Sequence, residues 1–166
     1  KKIAIMQPTF MPWIGYFALI DDVDEFILLD HVQFDSRSWQ QRNKILLNDM
    51  EFLITIPVKK KGLAYQAINE VQIAEKGQNI INKIFKTITL AYSNTPFFSL
   101  YKEEFYNVLM SETKSLVNMN VGIIDWGCEK LGIKTKMFKS SDLLAKGNKE
   151  QLLVNICLSR NANEYV

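Results

Sequence analysis

The first thirty residues constrain the fold most. Ile3 to Met6 form a short apolar run that stops at Gln7-Pro8, the pattern of a buried strand entering a loop. Trp13, Phe17 and Ile20 then recur at helical spacing, so residues 13–22 read as a helix whose weak point is Gly15. Residues 25–30, Glu-Phe-Ile-Leu-Leu-Asp, read as a second buried strand. Strand, helix and strand within thirty residues make a βαβ unit, whose crossover is right-handed.

The remaining chain extends this pattern. Residues 44–47 and 51–58 read as two strands of a hairpin turned at Asn48-Asp49. Residues 69–74 read as another strand. Three helical stretches follow, at 78–92, 97–113 and 115–131, with Ser115 as a cap and Gly132 as a stop. Residues 134–138 and 164–166 read as strands, and 149–160 as an amphipathic helix between them. The expected class is α/β: a Rossmann-like, mostly parallel sheet flanked by helices, with a β-hairpin and a helical insertion. Residues 1–166 are expected to form one α/β domain, with residues 78–131 as a helical segment inside it. Both ends read as cut from something longer.

Composition narrows the partners. A net charge of +2 gives no electrostatic footprint for nucleic acid. The compact basic run, Lys59-Lys60-Lys61, precedes Gly62 and reads as a solvated loop, with an anion lid as the sharper alternative. The two cysteines, Cys128 and Cys157, sit in apolar stretches and read as free thiols. One histidine and no Cys-x-x-Cys leave little to build a zinc site, so no metal is expected. The acidic group Asp21, Asp22 and Asp24 lacks the Gly and Glu of a calcium loop and reads as a solvated helix end. No apolar run approaches a membrane span and the start is not a signal peptide, so a cytoplasmic protein is expected.

Ligands of open α/β sheets bind outside the carboxyl ends of the strands. That rule puts residues 7–13 and 30–43 on one rim. The first of these is stiffened by Pro8 and Pro12 and runs into a helix N-terminus, a natural anion site. It offers Gln7, Thr9, Pro12, Trp13, Gly15 and Tyr16 as binding candidates. The competing structural account is a turn with Trp13 and Phe17 in the core. The second segment interleaves aromatics with hydrogen-bonding side chains. Arg37 and Arg42 have planar forks suited to phosphate or carboxylate. Trp39 can stack on a sugar or base. Gln33 and Asn43 add polar contacts, Asp30 ends a strand, and His31 can act as a general base unless it is merely a hydrogen-bonded structural group. Asp30 and His31 are therefore the catalytic candidates. Ser140 and Ser141 follow a strand and suit either a phosphate or a helix cap. There is no P-loop, dinucleotide fingerprint or nucleophile elbow.

The two rim segments also carry a resemblance. Gln-Pro-x-Phe-x-Pro-Trp-x-Gly-Tyr-Phe at residues 7–17 and Leu-Asp-His-Val-Gln-Phe…Ser-Trp-Gln-Gln-Arg-Asn at residues 29–43 look like the signature of WbqC-like proteins. Thr55-Ile56-Pro57-Val58 and Leu131-Gly132-Ile133…Ser140-Ser141 fit the same pattern. The resemblance implies a role in bacterial surface-polysaccharide, O-antigen-type biosynthesis. It points to a transferase acting on a nucleotide- or lipid-linked sugar, with glycyl or other acyl transfer as one form. It carries Pro8 into the site together with the candidates above other than Thr9, Ser140 and Ser141. The substrate is then a small molecule, a sugar nucleotide or an acyl donor. A fold-level likeness to nucleotidyltransferases such as pantothenate synthetase comes second. There Trp13-Ile14-Gly15-Tyr16 replaces His-x-Gly-His, removing the histidines that stabilise charge on the transferred phosphate. ATP and Mg²⁺ enter only if the chain is a nucleotidyltransferase or an ATP-dependent ligase. A non-catalytic module binding a nucleotide or glycan precursor is the remaining class.

Overall fold

The structure is a computed structural model that describes residues 1–59, 62, 65–75 and 77–166. Its centre is a parallel four-stranded sheet of β1 (Lys2–Met6), β2 (Glu25–Leu28), β5 (Lys136–Lys139) and β6 (Glu164–Tyr165). The strands lie in the order β5-β2-β1-β6, with Ile5 opposite Ile27 and Ile27 opposite Phe138. Read in chain order among these four, that is 3-2-1-4, the doubly wound arrangement.

The period-2 alternation of buried strands divides the side chains between two layers. Ala4, Phe26 and Leu28 pack against α1 (Ile14–Asp21) and α4 (Leu116–Leu131), through Tyr16, Ile20, Ile124 and Cys128. Ile3, Ile5 and Ile27 pack on the opposite face against Leu152 and Ile156 of α5 (Glu150–Ser159). A third cluster unites the antiparallel hairpin β3 (Arg42–Leu47) and β4 (Met50–Thr55) with α2 (Gly77–Tyr92), α3 (Phe98–Ser111) and α4. Phe10, from the loop after β1, is fully buried in that third cluster. The β1–α1 loop is thereby anchored to the helical part of the molecule.

Local chemistry explains the boundaries. Asn48 and Asp49 both have positive φ, 51° and 59°, as a two-residue type I′ turn requires. Ser115 accepts from the Asn118 N–H to start α4, and Gly132 ends it at φ 73°. β4 stops at Thr55, short of the expected 58, because Pro57 has no N–H for the ladder.

The strand expected at 69–74 is corrected. Ile68–Glu70 is a single 3₁₀ turn, followed only by isolated bridges, Gln72 to Ser115 and Val58 to Ile73. Its backbone is held by α4's entry instead: Ile73 N–H donates to Lys114 O, and Leu116 N–H donates to Val71 O. Both cysteines are free, and burial pushes the Cys128 thiol up to about 11. Asp22 pairs with Lys2, as a solvated helix end can. Of the lysine run, Lys60 and Lys61 lie outside the described residues. No described helix is long and apolar enough to cross a membrane.

Candidate functional site

The two rim segments meet. Phe10 N–H donates to Trp39 O at 2.8 Å, and Asn43 Nδ2 donates back to the carbonyls of Phe10 and Met11. Gln40 Nε2 donates to Gln7 Oε1 at 2.7 Å. Beneath them the fully buried Asn120 of α4 donates to Pro8 O at 3.1 Å and Gln40 O at 2.8 Å, holding both segments with one amide. Met11 sits at φ 51°, an unusual backbone state that this network maintains.

Between the segments lies a cleft of about 360 Å³, lined by Thr9, Pro12, Trp13, Trp39 and Asn43. Trp13 is 54% exposed and Trp39 48%, large apolar faces left half in water. Trp13 therefore does not belong to the core, although Phe17 and Tyr16 do. Its indole folds back over α1: a Cβ on Gly15 would lie 2.6 Å from Trp13 Nε1, so only glycine leaves room for it.

Polar capacity is left over around this cleft. Thr9 is only 9% exposed, and its buried hydroxyl has no partner among the described residues. The Arg42 guanidinium lies 6.0 Å from the centre of the Trp39 ring, at the limit of a cation–π contact. Its Nε is buried with no partner among the described residues. Trp13, which lines the cleft, starts α1 with no side-chain cap, so the first N–H groups of that helix receive no side-chain acceptor from it.

Asp30, His31, Ser140 and Ser141 form a separate cluster over the ends of β2 and β5. Asp30 is 1% exposed, and its carboxylate accepts from Ser140 Oγ (3.0 Å), Ser141 N–H (2.9 Å) and Ser141 Oγ (2.7 Å). Ser140 Oγ also accepts from Asp30 N–H at 3.1 Å and lies 2.6 Å from His31 Nδ1. A hydroxyl has one proton. With that proton on Asp30 Oδ1, at 3.0 Å, Ser140 Oγ accepts from Nδ1–H of His31, and a neutral ring then has its lone pair on Nε2. With the proton on Nδ1 instead, Ser141 alone donates to Asp30.

The residues expected at one site are thus distributed. Thr9, Pro12, Trp13, Trp39 and Asn43 come together, with Arg42 against Trp39. Asn43 braces the wall, since both its amide donors and its oxygen have protein partners. Gln7 is a brace likewise. Tyr16 is sealed in the core with its hydroxyl on Gln7 O, so its place among the binding candidates is corrected to a structural contact. Gln33 is exposed and its backbone bridges to Ala67. Arg37 is exposed at φ 76° in the turn closed by Ser38 N–H on Asp35 O. Ser140 and Ser141 hold Asp30 instead of facing a phosphate. Gln40 and Asn120 escaped the sequence reading. The signal available for Asn120 was its position inside an otherwise apolar helix face, where a buried amide needs partners.

Comparison with known proteins agrees with the motifs. The family model described as the WbqC-like protein family matches residues 7–166. An uncharacterized protein of Mycobacterium tuberculosis, Rv1507c, is 33% identical over 167 residues, covering 100% of this chain and 71% of that protein. No solved structure matches significantly. With a match over nearly its whole length, the chain belongs to the WbqC-like protein family.

Proposed function

We propose that this protein is a transferase of surface-polysaccharide biosynthesis that binds a phosphate-linked sugar in the cleft between Trp13 and Trp39. The observation that carries this is the pair of half-exposed indoles, Trp13 and Trp39, that line one cleft. Indole faces pack against the C–H faces of a sugar ring. The α1 N-terminus and Arg42 suit its phosphate. Family membership supports the biological setting.

The base proposed for acyl transfer is His31 of the separate cluster over β2 and β5, with the acceptor amine extending to it from the sugar in the cleft. Its Nε2 takes the proton from an acceptor amine as the new N–C bond forms at the acyl carbonyl. The bond from that carbonyl to its leaving group breaks, and the imidazolium returns the proton to the leaving group. Asp30 and Ser140 then act as positioning residues, because the arrangement in which Ser140 donates to Asp30 selects the tautomer.

The test is calorimetry with sugar 1-phosphates and nucleoside-diphosphate sugars, followed by turnover assays with acyl donors and amino-sugar acceptors. Trp39→Ala should weaken binding about tenfold, roughly 1.4 kcal/mol. Thr9→Val should weaken it as well. Affinities unchanged in both variants refute the cleft assignment. His31→Gln, which keeps a donor for Ser140, should abolish turnover while leaving binding intact.

One observation favours a second account, a binding module without chemistry. The Asp30 carboxylate is buried with both oxygens occupied, so it is not available as a base. Binding without turnover of any donor–acceptor pair would select that account.

A further inference from the structure

Of the described strand edges, one is left unguarded. In the parallel sheet the edge strand β6 is two residues long, and the other, β5, carries Lys136 and Lys139 at its ends. Short length and lysine are common guards against a second strand. The hairpin differs. Its two-residue turn makes Leu47 and Met50 the closing pair, so Ile45 with Phe52 and Asn43 with Ile54 exchange hydrogen bonds between the strands. Ile56 N–H donates to Gln41 O at 2.7 Å, continuing that alternation. The intervening residues turn their backbone groups outward. On β3 the outward N–H groups of Leu46 and Lys44 are taken by Tyr92 Oη and Asn43 Oδ1. On β4 the outward residues are Glu51, Leu53 and Thr55, and none of their N–H or carbonyl groups has a partner among the described residues.

Nothing on β4 repels another strand. Met50, Phe52 and Leu53 are exposed, and the strand contains no proline. Its single charge, Glu51, is already neutralised by Lys44 at 2.6 Å. A contact about a twofold axis must be self-complementary, and β4 meets that condition in one register. With Leu53 opposite the second copy's Leu53 in an antiparallel pair, Glu51 falls opposite Thr55 and Thr55 opposite Glu51, so every outward residue is used. The Thr55 hydroxyl can then donate to the Glu51 carboxylate, and no like charges meet. An axis at Phe52 would set Thr55 against Asp49, whose φ of 59° is not extended. An axis at Ile54 would set Glu51 against Pro57, which has no N–H to give.

We infer that β4 is a homodimer interface: two copies of this chain join edge to edge, merging their hairpins into one antiparallel sheet about a twofold axis at Leu53.

The test uses the full chain in sedimentation velocity over a concentration series, where the mass should rise from one chain to two. Leu53→Lys sets two ammonium groups face to face and should weaken association at least about tenfold. Leu46→Lys, an exposed position on β3, should leave association unchanged. Both changes are at exposed sites, and a circular-dichroism melt checks that each variant is folded. Cysteine scanning then reads the register. Cα atoms of a hydrogen-bonded antiparallel pair lie about 5.5 Å apart, inside the disulfide range of about 4.4–6.8 Å. Leu53→Cys should therefore cross-link two chains under mild oxidation. Glu51→Cys should not, because four residues of offset hold its two copies more than about 13 Å apart. The parent, with Cys128 and Cys157 free, sets the background. A parent that stays monomeric up to about 1 mM overturns the inference. So does a dimer that Leu53→Lys leaves intact, which would use another face. Equal cross-linking at both positions marks chance collisions and overturns it as well.

Discussion

Two glycines of α4 make a controlled experiment on how the site is held. An interior helical glycine is about 1 kcal/mol less favourable than alanine. At Gly122 an added Cβ would meet no atom within 4 Å, so Gly122→Ala should collect that gain. At Gly127 the same Cβ would lie 2.5 and 2.6 Å from Cε1 and Cζ of Phe17. Carbon atoms in good contact sit about 3.5–4.0 Å apart, so the Phe17 ring or helix α1 must retreat by about 1 Å. Phe17 is buried, and overpacking of a filled core costs about 1–3 kcal/mol. Setting that against the helical gain, Gly127→Ala should be between neutral and about 2 kcal/mol destabilised. The two variants should differ from each other by about 1–3 kcal/mol. Urea unfolding followed by far-ultraviolet circular dichroism measures this directly, and at equal m-values the midpoints should separate with Gly122→Ala the higher. Thermal midpoints should diverge by about 2–4 °C per kcal/mol. Phe17 belongs to the helix that starts at the cleft, so Gly127→Ala should also weaken the binding of sugar 1-phosphates. Coincident unfolding midpoints for the two variants would refute the claimed close approach of α1 to α4.

Other positions test other contacts. Asn120→Leu removes the donor shared by Pro8 O and Gln40 O and should cost about 2–4 kcal/mol by urea unfolding, together with most of the cleft's affinity; a loss below about 0.5 kcal/mol would mean the two segments hold each other without it. Asp30→Asn keeps an acceptor at one oxygen and loses it at the other, opposite Ser141 Oγ, and should destabilise by about 1–3 kcal/mol; an unchanged midpoint would show the cluster to be dispensable. Glu25 bears on pH. The Arg160 guanidinium, bonded at 2.8 and 2.9 Å, and then Lys1 hold its carboxyl below the usual range despite the opposing effect of burial. Its folded value is below its unfolded one, so its contribution is complete above the unfolded value near 4.5 and disappears as pH falls through the folded value. Glu25→Gln should therefore be less stable than the parent at pH 7 and flatten the acid limb of a stability–pH curve, and parallel limbs would contradict the assigned ion pair.

Much of this fold was legible because local and tertiary signals agreed. The βαβ opening, the Asn48-Asp49 turn and the Ser115 and Gly132 ends of α4 each rest on short-range chemistry that the structure repeats. Residues 69–74 failed for the opposite reason. Their apolar alternation at Val71 and Ile73 is real, and both side chains are buried, but their backbone partners belong to the entry of α4 and to the hairpin exit, not to a sheet. Period-2 burial reports which face is dry and says nothing of who takes the hydrogen bonds.

The same distinction governs the site. Sequence reading selects polar and aromatic types in promising loops, but a ligand can only use hydrogen-bonding capacity that the protein leaves free. Asp30, Ser140 and Ser141 looked like three separate ligand contacts; separated by 110 residues or more in the chain, they satisfy one another. Asn43 and Gln7 were likewise chosen for their amides, and the whole Asn43 amide and the Gln7 amide oxygen are occupied in holding the loops. Thr9 carries no strong sequence signal beyond its place between two prolines, yet it lines the cleft and its buried hydroxyl has no partner among the described residues. Arg42 retains an unpartnered Nε beside the Trp39 face. Free capacity is a property of the whole fold, set by which distant groups arrive first at each donor and acceptor. The residues most informative about a ligand are therefore those the fold leaves unsatisfied at a wall, and here they lie on the side of Trp13 and Trp39.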